Sequence, residues 1–408
     1  MKKSNIFILF LIVFLDLIGV GILIPILAPL MLDTTSQIVP TAWNEATRNM
    51  ALGLLVASYP LAQFFGAPIL GTLSDRHGRK KILAISLFGT LIGYVLFAIG
   101  ILTNQLWLLF VSRTLDGFTG GNLSIANSSI ADMNQGEKSA KNFGLIGMAF
   151  GMGFIVGPFL GGILSDPHLV SWFNHATPFW FAAILSMANL ILVGTSFKET
   201  IAKKVHKHIH PFIGFTHLAK AWRMKELRIA FIVTFLHNAG FAFFAQFFPV
   251  FLVQKFAFEP SQIGTFFGYI GICIALSQGF VTRIVGKYVV PEKVLKFSLL
   301  GLSFTLVAMT LPQAIWILYL LQASLAIFEG LSFPNSTAII SNLATSEDQG
   351  EVLGITQSLR ALGQALPPLI AGVLITFGQN LPTLVSAGII LLAWGIFVIF
   401  FRKLRFNT

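Results

Sequence analysis

One cysteine in 408 residues, Cys273, excludes an intramolecular disulfide and any metal site built on a cysteine cluster. Charge is scarce too: 16 acidic and 27 basic residues make up 11% of the chain, far below the usual share in a soluble domain. No Gly-x-x-x-x-Gly-Lys-Ser/Thr loop occurs, and "GFVTRIVGKY" (279–288) has the wrong spacing to replace one, which argues against ATP as a driving force. A repeated filter segment, which a channel would need, is also missing. So is a nucleophile set beside a base or a metal, which an intramembrane enzyme would need. The expectation is therefore a protein that is not an enzyme and uses no cofactor and no bound metal.

What is present is apolar. Hydrophobic residues make up 55% of the chain and the mean hydropathy is +0.81. Twelve apolar runs fall at about 6–31, 49–71, 82–102, 106–130, 142–164, 178–197, 228–252, 263–285, 294–312, 314–340, 351–377 and 382–401. Each is close to the ~20 residues that cross a ~30 Å hydrocarbon layer as helix. Runs such as "IFILFLIVFL" do not alternate, which excludes an outer-membrane barrel. Lys2 and Lys3 ahead of an apolar stretch could mark a secretory signal, but that run continues to Leu32, carries Asp16 and lacks a small-residue cleavage site. It reads as the first span.

Lysine and arginine set the orientation, because they are retained in short loops on the cytoplasmic side. With both termini cytoplasmic, 23 of the 27 fall on that side and only Arg48 and Lys255 on the other. The formal charge of +11 thus reflects topology and attraction to anionic lipid, with no need of a nucleic-acid partner. The one long polar stretch, 198–227, separates an amino-terminal bundle of six spans (1–197) from a carboxy-terminal one (228–408). His206, His208, His210 and His217 in that stretch read as a solvated basic face or, less simply, as metal ligands.

The two halves overlay. "GFIVGPFLGG" (153–162) matches "GQALPPLIAG" (363–372), and "FLDLIGVG" (14–21) lies over "FLHNAGFA" (235–242), which sets His237 opposite Asp16. Equivalent runs lie six apart, so the copies cross the membrane in the same sense. A parallel repeat of this kind encloses a cavity that rocking of the halves exposes to each side in turn.

Four stretches now carry a resemblance. "FLDLIGVGILIPILAPL" (14–30), "GTLSDRHGRKK" (71–81), "RTLDGFTGG" (113–121) and "GMGFIVGPFLGG" (151–162), with "SIAD" ending at Asp132, together resemble the major facilitator superfamily. Within it they are most similar to the twelve-helix drug:proton antiporters that include bacterial tetracycline efflux proteins. The resemblance implies an all-α membrane protein of two six-helix bundles, working as a monomer by alternating access in the bacterial cytoplasmic membrane. It also implies a latch built from Gly71, Asp75, Arg76, Gly78, Arg79 and Asp132. In that latch Gly71 lets the second and eleventh spans approach, Asp75 caps the eleventh, and Arg79 pairs with Asp132. Gly153, Gly157, Pro158, Gly161 and Gly162 correspond to the antiporter motif of the fifth span, a hinge and seal between the halves.

Six ionisable residues fall inside apolar runs: Asp16, Arg113, Asp116, His237, Glu329 and Arg360. Each costs about 2.5–3.5 kcal/mol at a helix centre and therefore needs a reason. Asp16 is the expected proton carrier. Arg113 resembles the family's proton-coupling arginine, and Asp116, three residues on, can pair with it or join a relay. Glu329 and Arg360 read as a buried pair or as substrate ligands, and His237 as a titrating group or a hydrogen-bonded spectator. With Asn238, Phe241 and Gln246, in the phenylalanine-rich run "FAFFAQFFPVF" (241–251), they are the candidates to line a substrate cavity. Aromatic walls with few polar fixtures suit hydrophobic or cationic small molecules better than sugars. The alternative on the same fold is a carrier dedicated to a single metabolite or siderophore, as exporter or importer.

The charge asymmetry generates a direct expectation. Alkaline phosphatase fused after Arg405 should be inactive and a fluorescent protein fused there should fluoresce; the reverse pattern would invert the topology.

Overall fold

The computed structural model describes residues 2–33, 36–133, 139–201, 213–224, 227–344 and 349–405, and among them it is helical with no strand. The first apolar run forms α1 (Lys2–Ile22) and α2 (Ile24–Leu32), broken at Leu23 just ahead of Pro25, whose missing N–H suits a helix start. Then come α3 (Glu45–His77) and α4 (Arg79–Leu102), followed by α5 (Leu106–Thr119) and α6 (Asn122–Met133), which together make the fourth span. The fifth and sixth spans are α7 (Ser139–Leu164) and α8 (Thr177–Thr195), and α9 (Ile213–Arg223) lies in the central stretch. The second half holds α10 (Arg228–Phe256) and α11 (Pro260–Leu276), which runs through a π-helical turn at Ser277–Val281 into α12 (Thr282–Tyr288). It ends with α13 (Pro291–Ala308), α14 (Ile315–Leu343), α15 (Gln349–Leu374) and α16 (Leu381–Arg405).

All twelve apolar runs are thus helical, and among the described residues eight helical stretches, with α1–α2 and α11–α12 each taken as one, are long and apolar enough to cross a membrane by length and composition. The helices outrun the apolar stretches where polar residues continue the backbone ladder. In α3, Asn44 caps the start by accepting the Thr47 amide at 2.9 Å, and the last turn carries Arg76 and His77. Apolar rows such as Ile184 and Ile191 on α8, or Phe297 and Phe304 on α13, stand exposed seven residues apart on one helix face, as lipid-facing rows do.

The chain divides into two compact units. One comprises Met1–Arg48, Ser58–Ile213 and Phe258–Gly268; the other comprises Asn49–Ala57, Gly214–Ala257 and Tyr269–Thr408. In the first, α1 packs on α7 and α8, and α4 on α5 and α8. In the second, α10 packs on α15 and α16, and α13 on α14 and α16, which is the same scheme moved by six spans. Each unit also takes one segment from the other half of the sequence, through equivalent small residues. Gly162 meets Pro260 and Gly264 in the first unit, and Gly372 meets Asn49 and Gly53 in the second.

The seam between α1 and α7 depends on the glycines of the fifth span. A Cβ on Gly157 would stand 2.7 Å from the Ile18 carbonyl oxygen and 2.8 Å from the Gly21 Cα, and one on Gly161 would press on the Ile22 carbonyl. Backbone meets backbone there, so no side chain can yield. Gly157→Val is therefore expected to lose about 1–3 kcal/mol through overpacking, read as a lowered thermal midpoint in detergent. Gly388→Ala on α16, where no described atom lies within 4 Å of an added Cβ, should leave the midpoint unchanged.

Candidate functional site

The fourth span breaks inside the first unit, and the ions gather at the break. Gly120 and Gly121 separate α5 from α6, freeing carbonyls that side chains then satisfy. Gln63 of α3 donates to the Gly120 oxygen at 2.9 Å, and Ser86 of α4 donates to the Thr119 oxygen. Non-helical backbone at membrane depth is tolerated only where protein groups or a cavity take up its polar atoms, and broken spans often mark transport sites. On one side of the break Arg113 Nη1 donates to Asp116 Oδ2 at 3.0 Å, with both side chains buried, and its guanidinium lies 4.4 Å over the Tyr59 ring. On the other side Asn122, the first residue of α6, donates to Asp16 Oδ1 of α1 at 2.8 Å. Asp116 is near enough for its charge to act on Asp16. The expected Arg113–Asp116 pair along one helix face is therefore present. Asn122, Tyr59 and Gln63 are additional members; the "GG" pair inside an apolar run was the signal for a break, and nothing local marked its partners.

Several polar atoms here are buried with no hydrogen-bond partner among the described residues: Arg113 Nε, Asn122 Oδ1 and the Tyr94 hydroxyl. Unmet donors and acceptors beside two carboxylates and a guanidinium make a place where a proton or a polar ligand atom would find partners.

A second cluster sits where α3 turns into α4. Gly78 makes the turn at φ +108°, a conformation closed to ordinary side chains. Arg79 is buried and bonded three ways, to Asp75 at 2.6 Å, to Asp132 at 2.9 Å and to the Ser74 hydroxyl at 2.6 Å, while Arg76 is exposed. The atom nearest to an added Cβ on Gly71 is Ser124 Oγ of α6, at 3.6 Å, so Gly71 faces the fourth span; the second span meets the eleventh at Gly53, against Pro368 and Gly372. Asp75 pairs with Arg79, and its expected partner, the chain entering the eleventh span at 345–348, lies outside the described residues.

The anion at a helix start in this cluster is Glu199, which sequence reading missed. Its carboxylate accepts the backbone amides of Arg79 at 2.9 Å and Lys80 at 3.2 Å, at the first turn of α4, and those of Thr200 and Ile201. Negative charge suits a helix N-terminus, where amides lack partners. Thr200 also donates to Asp132 at 3.3 Å, and Asn5 holds the Lys198 carbonyl at 3.2 Å. A Cβ on Gly78 would come within 2.5 Å of Glu199 Oε2, so the glycine serves both the turn and the approach of the acid.

In the second unit the expected Glu329–Arg360 pair gives way to another. Glu329 Oε2 of α14 lies 2.8 Å from His237 Nε2 of α10, both buried. Arg360 of α15 donates instead to the Thr337 hydroxyl at 2.7 Å and lies 4.2 Å over the Phe333 ring. α10 and α14 touch here, and the imidazole takes the carboxylate. Asn238 donates to the Thr234 carbonyl of its own helix and Gln246 to the Gln364 carbonyl at 3.3 Å, while Phe241 stands 6.1 Å from Phe244. His206, His208 and His210 lie outside the described residues, and among those described no cluster of three metal-ligating side chains occurs.

A doubled set of membrane-length helices packed in one scheme, with ions held inside, defines a multi-pass membrane transporter. The family profile of the Major Facilitator Superfamily matches residues 9–295 and 230–407, and the chain belongs to that family. It is 30% identical over 374 residues to the tetracycline resistance protein, class C, of Escherichia coli, covering 91% of this chain and 89% of that one. To the quinolone resistance protein NorA of Staphylococcus aureus (strain MSSA476) it is 27% identical over 410 residues, covering 98% and 97%. Among solved structures, the human organic anion transporter MFSD10 aligns with a TM-score of 0.74 at 23% identity, over 97% of this chain and 99% of that one. A D-xylose-proton symporter aligns at 0.76 and 15%, over 97% and 98%. At these identities the structures speak for the fold alone.

Glu199→Ala removes the acceptor from two backbone amides at the α4 start and from those of Thr200 and Ile201. It should slow transport by about two- to fivefold, the range of a solvated charged contact, with the protein still inserted. Initial rates in vesicles, normalised to folded protein, would show it; a wild-type rate would make Glu199 a bystander.

Proposed function

We propose that this chain is a proton-coupled antiporter that exports hydrophobic or cationic small molecules across the bacterial cytoplasmic membrane by alternating access. It is not an enzyme, works as a monomer with no nucleic-acid partner, and keeps both termini in the cytoplasm. Asp16 carries the proton, and Arg113 and Asp116 take part in its coupling. The latch of Asp75, Arg79 and Asp132 and the glycine seam of α7 govern the conformational change. The two bundles divide at the 198–227 stretch.

The observation that carries this reading is the charge sum at the broken fourth span. Two carboxylates and one guanidinium leave one negative charge when both acids are ionised, in surroundings where an uncompensated charge is costly. One proton neutralises it, and so does one monovalent organic cation. Ligands that satisfy the same deficit displace each other, which is the minimum an antiporter requires. The Asn122 amide, donating to Asp16, fixes where the carboxylate stands. A one-for-one exchange of a proton for a monovalent cation moves no net charge, so the pH difference drives it. A neutral substrate exchanged for one proton also draws about 2.3 kcal/mol from a potential of 100 mV, enough for a gradient on the order of 50-fold. The similarity to proteins named for tetracycline and quinolone resistance supports substrates of that chemistry.

Everted vesicles with an acid lumen and a pH-sensitive dye test this directly. Tetracycline, norfloxacin or ethidium should release protons from the lumen, and Asp16→Asn should abolish the response at unchanged expression. Silence toward every compound would remove the drug-export reading and favour a carrier of one dedicated metabolite.

A further inference from the structure

The His237–Glu329 contact sits where the repeat places a counterpart to Asp16, yet its chemistry differs. In the first unit the group on α1 is a lone carboxylate held by an amide; in the second, an imidazole on α10 is paired with a carboxylate on α14. Both side chains are shut away, His237 at 2% exposure. Of the helices packed on α10, α14 brings Glu329, α15 brings Arg360, and α16 has no titratable residue between Leu381 and Phe401. Arg360 is near enough for electrostatic contact with Glu329, although its hydrogen bond goes to Thr337. On α10 itself the other charges are Arg228 and Lys255, near its two ends.

The imidazole is half-engaged. Nε2 faces the Glu329 carboxylate, whereas Nδ1 is buried with no partner among the described residues. A neutral ring that donates from Nε2 leaves only a lone pair unmet at Nδ1, while a protonated ring would bury an unmet, charged N–H, the more expensive defect. The geometry thus fits an unloaded site, with carboxylate and guanidinium in balance. Loading adds a proton at Nδ1 and becomes favourable once water reaches that nitrogen, with the carboxylate already placed to stabilise the imidazolium. Unloading follows when the nitrogen is dry again and the nearby Arg360 charge opposes the extra positive charge. Histidine is the side chain whose intrinsic affinity lets this happen near neutral pH.

We propose that His237, supported by Glu329, is a second proton-binding site, separate from the Asp16 cluster and switched by the access of water to Nδ1. Resting on the antiport reading above, its consequence is that a complete cycle moves two protons, one per bundle, and carries more charge than the first site alone allows.

Two measurements test it. The first uses no drug: infrared titration of the full chain in lipid nanodiscs from about pH 5 to 9, comparing wild type, His237→Gln, Glu329→Gln and Asp16→Asn. An imidazole titration lost in His237→Gln, at least tenfold weaker in proton affinity in Glu329→Gln and unchanged in Asp16→Asn supports the site. A His237→Gln titration that superimposes on wild type overturns it. Two variants approach the pair from opposite sides, so a folding loss in one leaves the other informative. The second counts protons per tetracycline in proteoliposomes: two in wild type and one in His237→Gln is expected, and one in both overturns the coupling. Wild type without any tetracycline-driven flux would count against the antiport reading, while the infrared comparison still decides the site.

Discussion

A charge surrounded by hydrocarbon has no water to turn to, and among the described residues the ions inside the apolar runs are accordingly held by other side chains. Arg113 has Asp116 and the face of Tyr59, Asp16 has Asn122, Glu329 has His237, and Arg360 has Thr337 and the face of Phe333. The backbone obeys the same rule. Where the fourth span opens at Gly120, the freed carbonyls are met by Gln63 and Ser86, so the break is affordable only in the company of polar residues from α3 and α4. Function then follows from what the partners leave over: one uncompensated carboxylate in the first unit, and one bare imidazole nitrogen in the second.

The repeat keeps packing and lets chemistry diverge. Both units set equivalent helices against each other in the same order, and Gly162 with Gly264 reappears as Gly372 with Gly53. Those positions answer to backbone distance, which tolerates nothing larger than glycine. Asp16 and His237 occupy equivalent places under no such steric demand, so each could acquire whatever partner its own bundle offered.

At the turn between the second and third spans, a motif readable as a string became a small machine only in three dimensions. Arg79 gathers Asp75, Asp132 and Ser74, but the helix start beside it is filled by Glu199, more than a hundred residues away. Docking of that acid ties the beginning of the central stretch to α4, and through Thr200 to the end of α6. The turn is therefore joined to the connection between the halves by hydrogen bonds that no local pattern announces.

Hydropathy alone determined that this is a membrane chain with twelve apolar runs, because a span needs a long apolar run whatever its neighbours are. The parallel repeat, the cost of each intramembrane ion and the Arg113–Asp116 pair were also legible, since each depends on spacing within one segment or on matching segments. Tertiary structure alone decided that Glu329 takes His237 instead of Arg360, that Asn122 holds Asp16, that Gly71 faces the fourth span, and that Glu199 closes the start of α4. The reason is physical. A hydrogen bond is settled by tenths of an ångström between helices, and the rotation and depth of one helix against another follow from the packing of whole faces, which no single stretch of sequence contains.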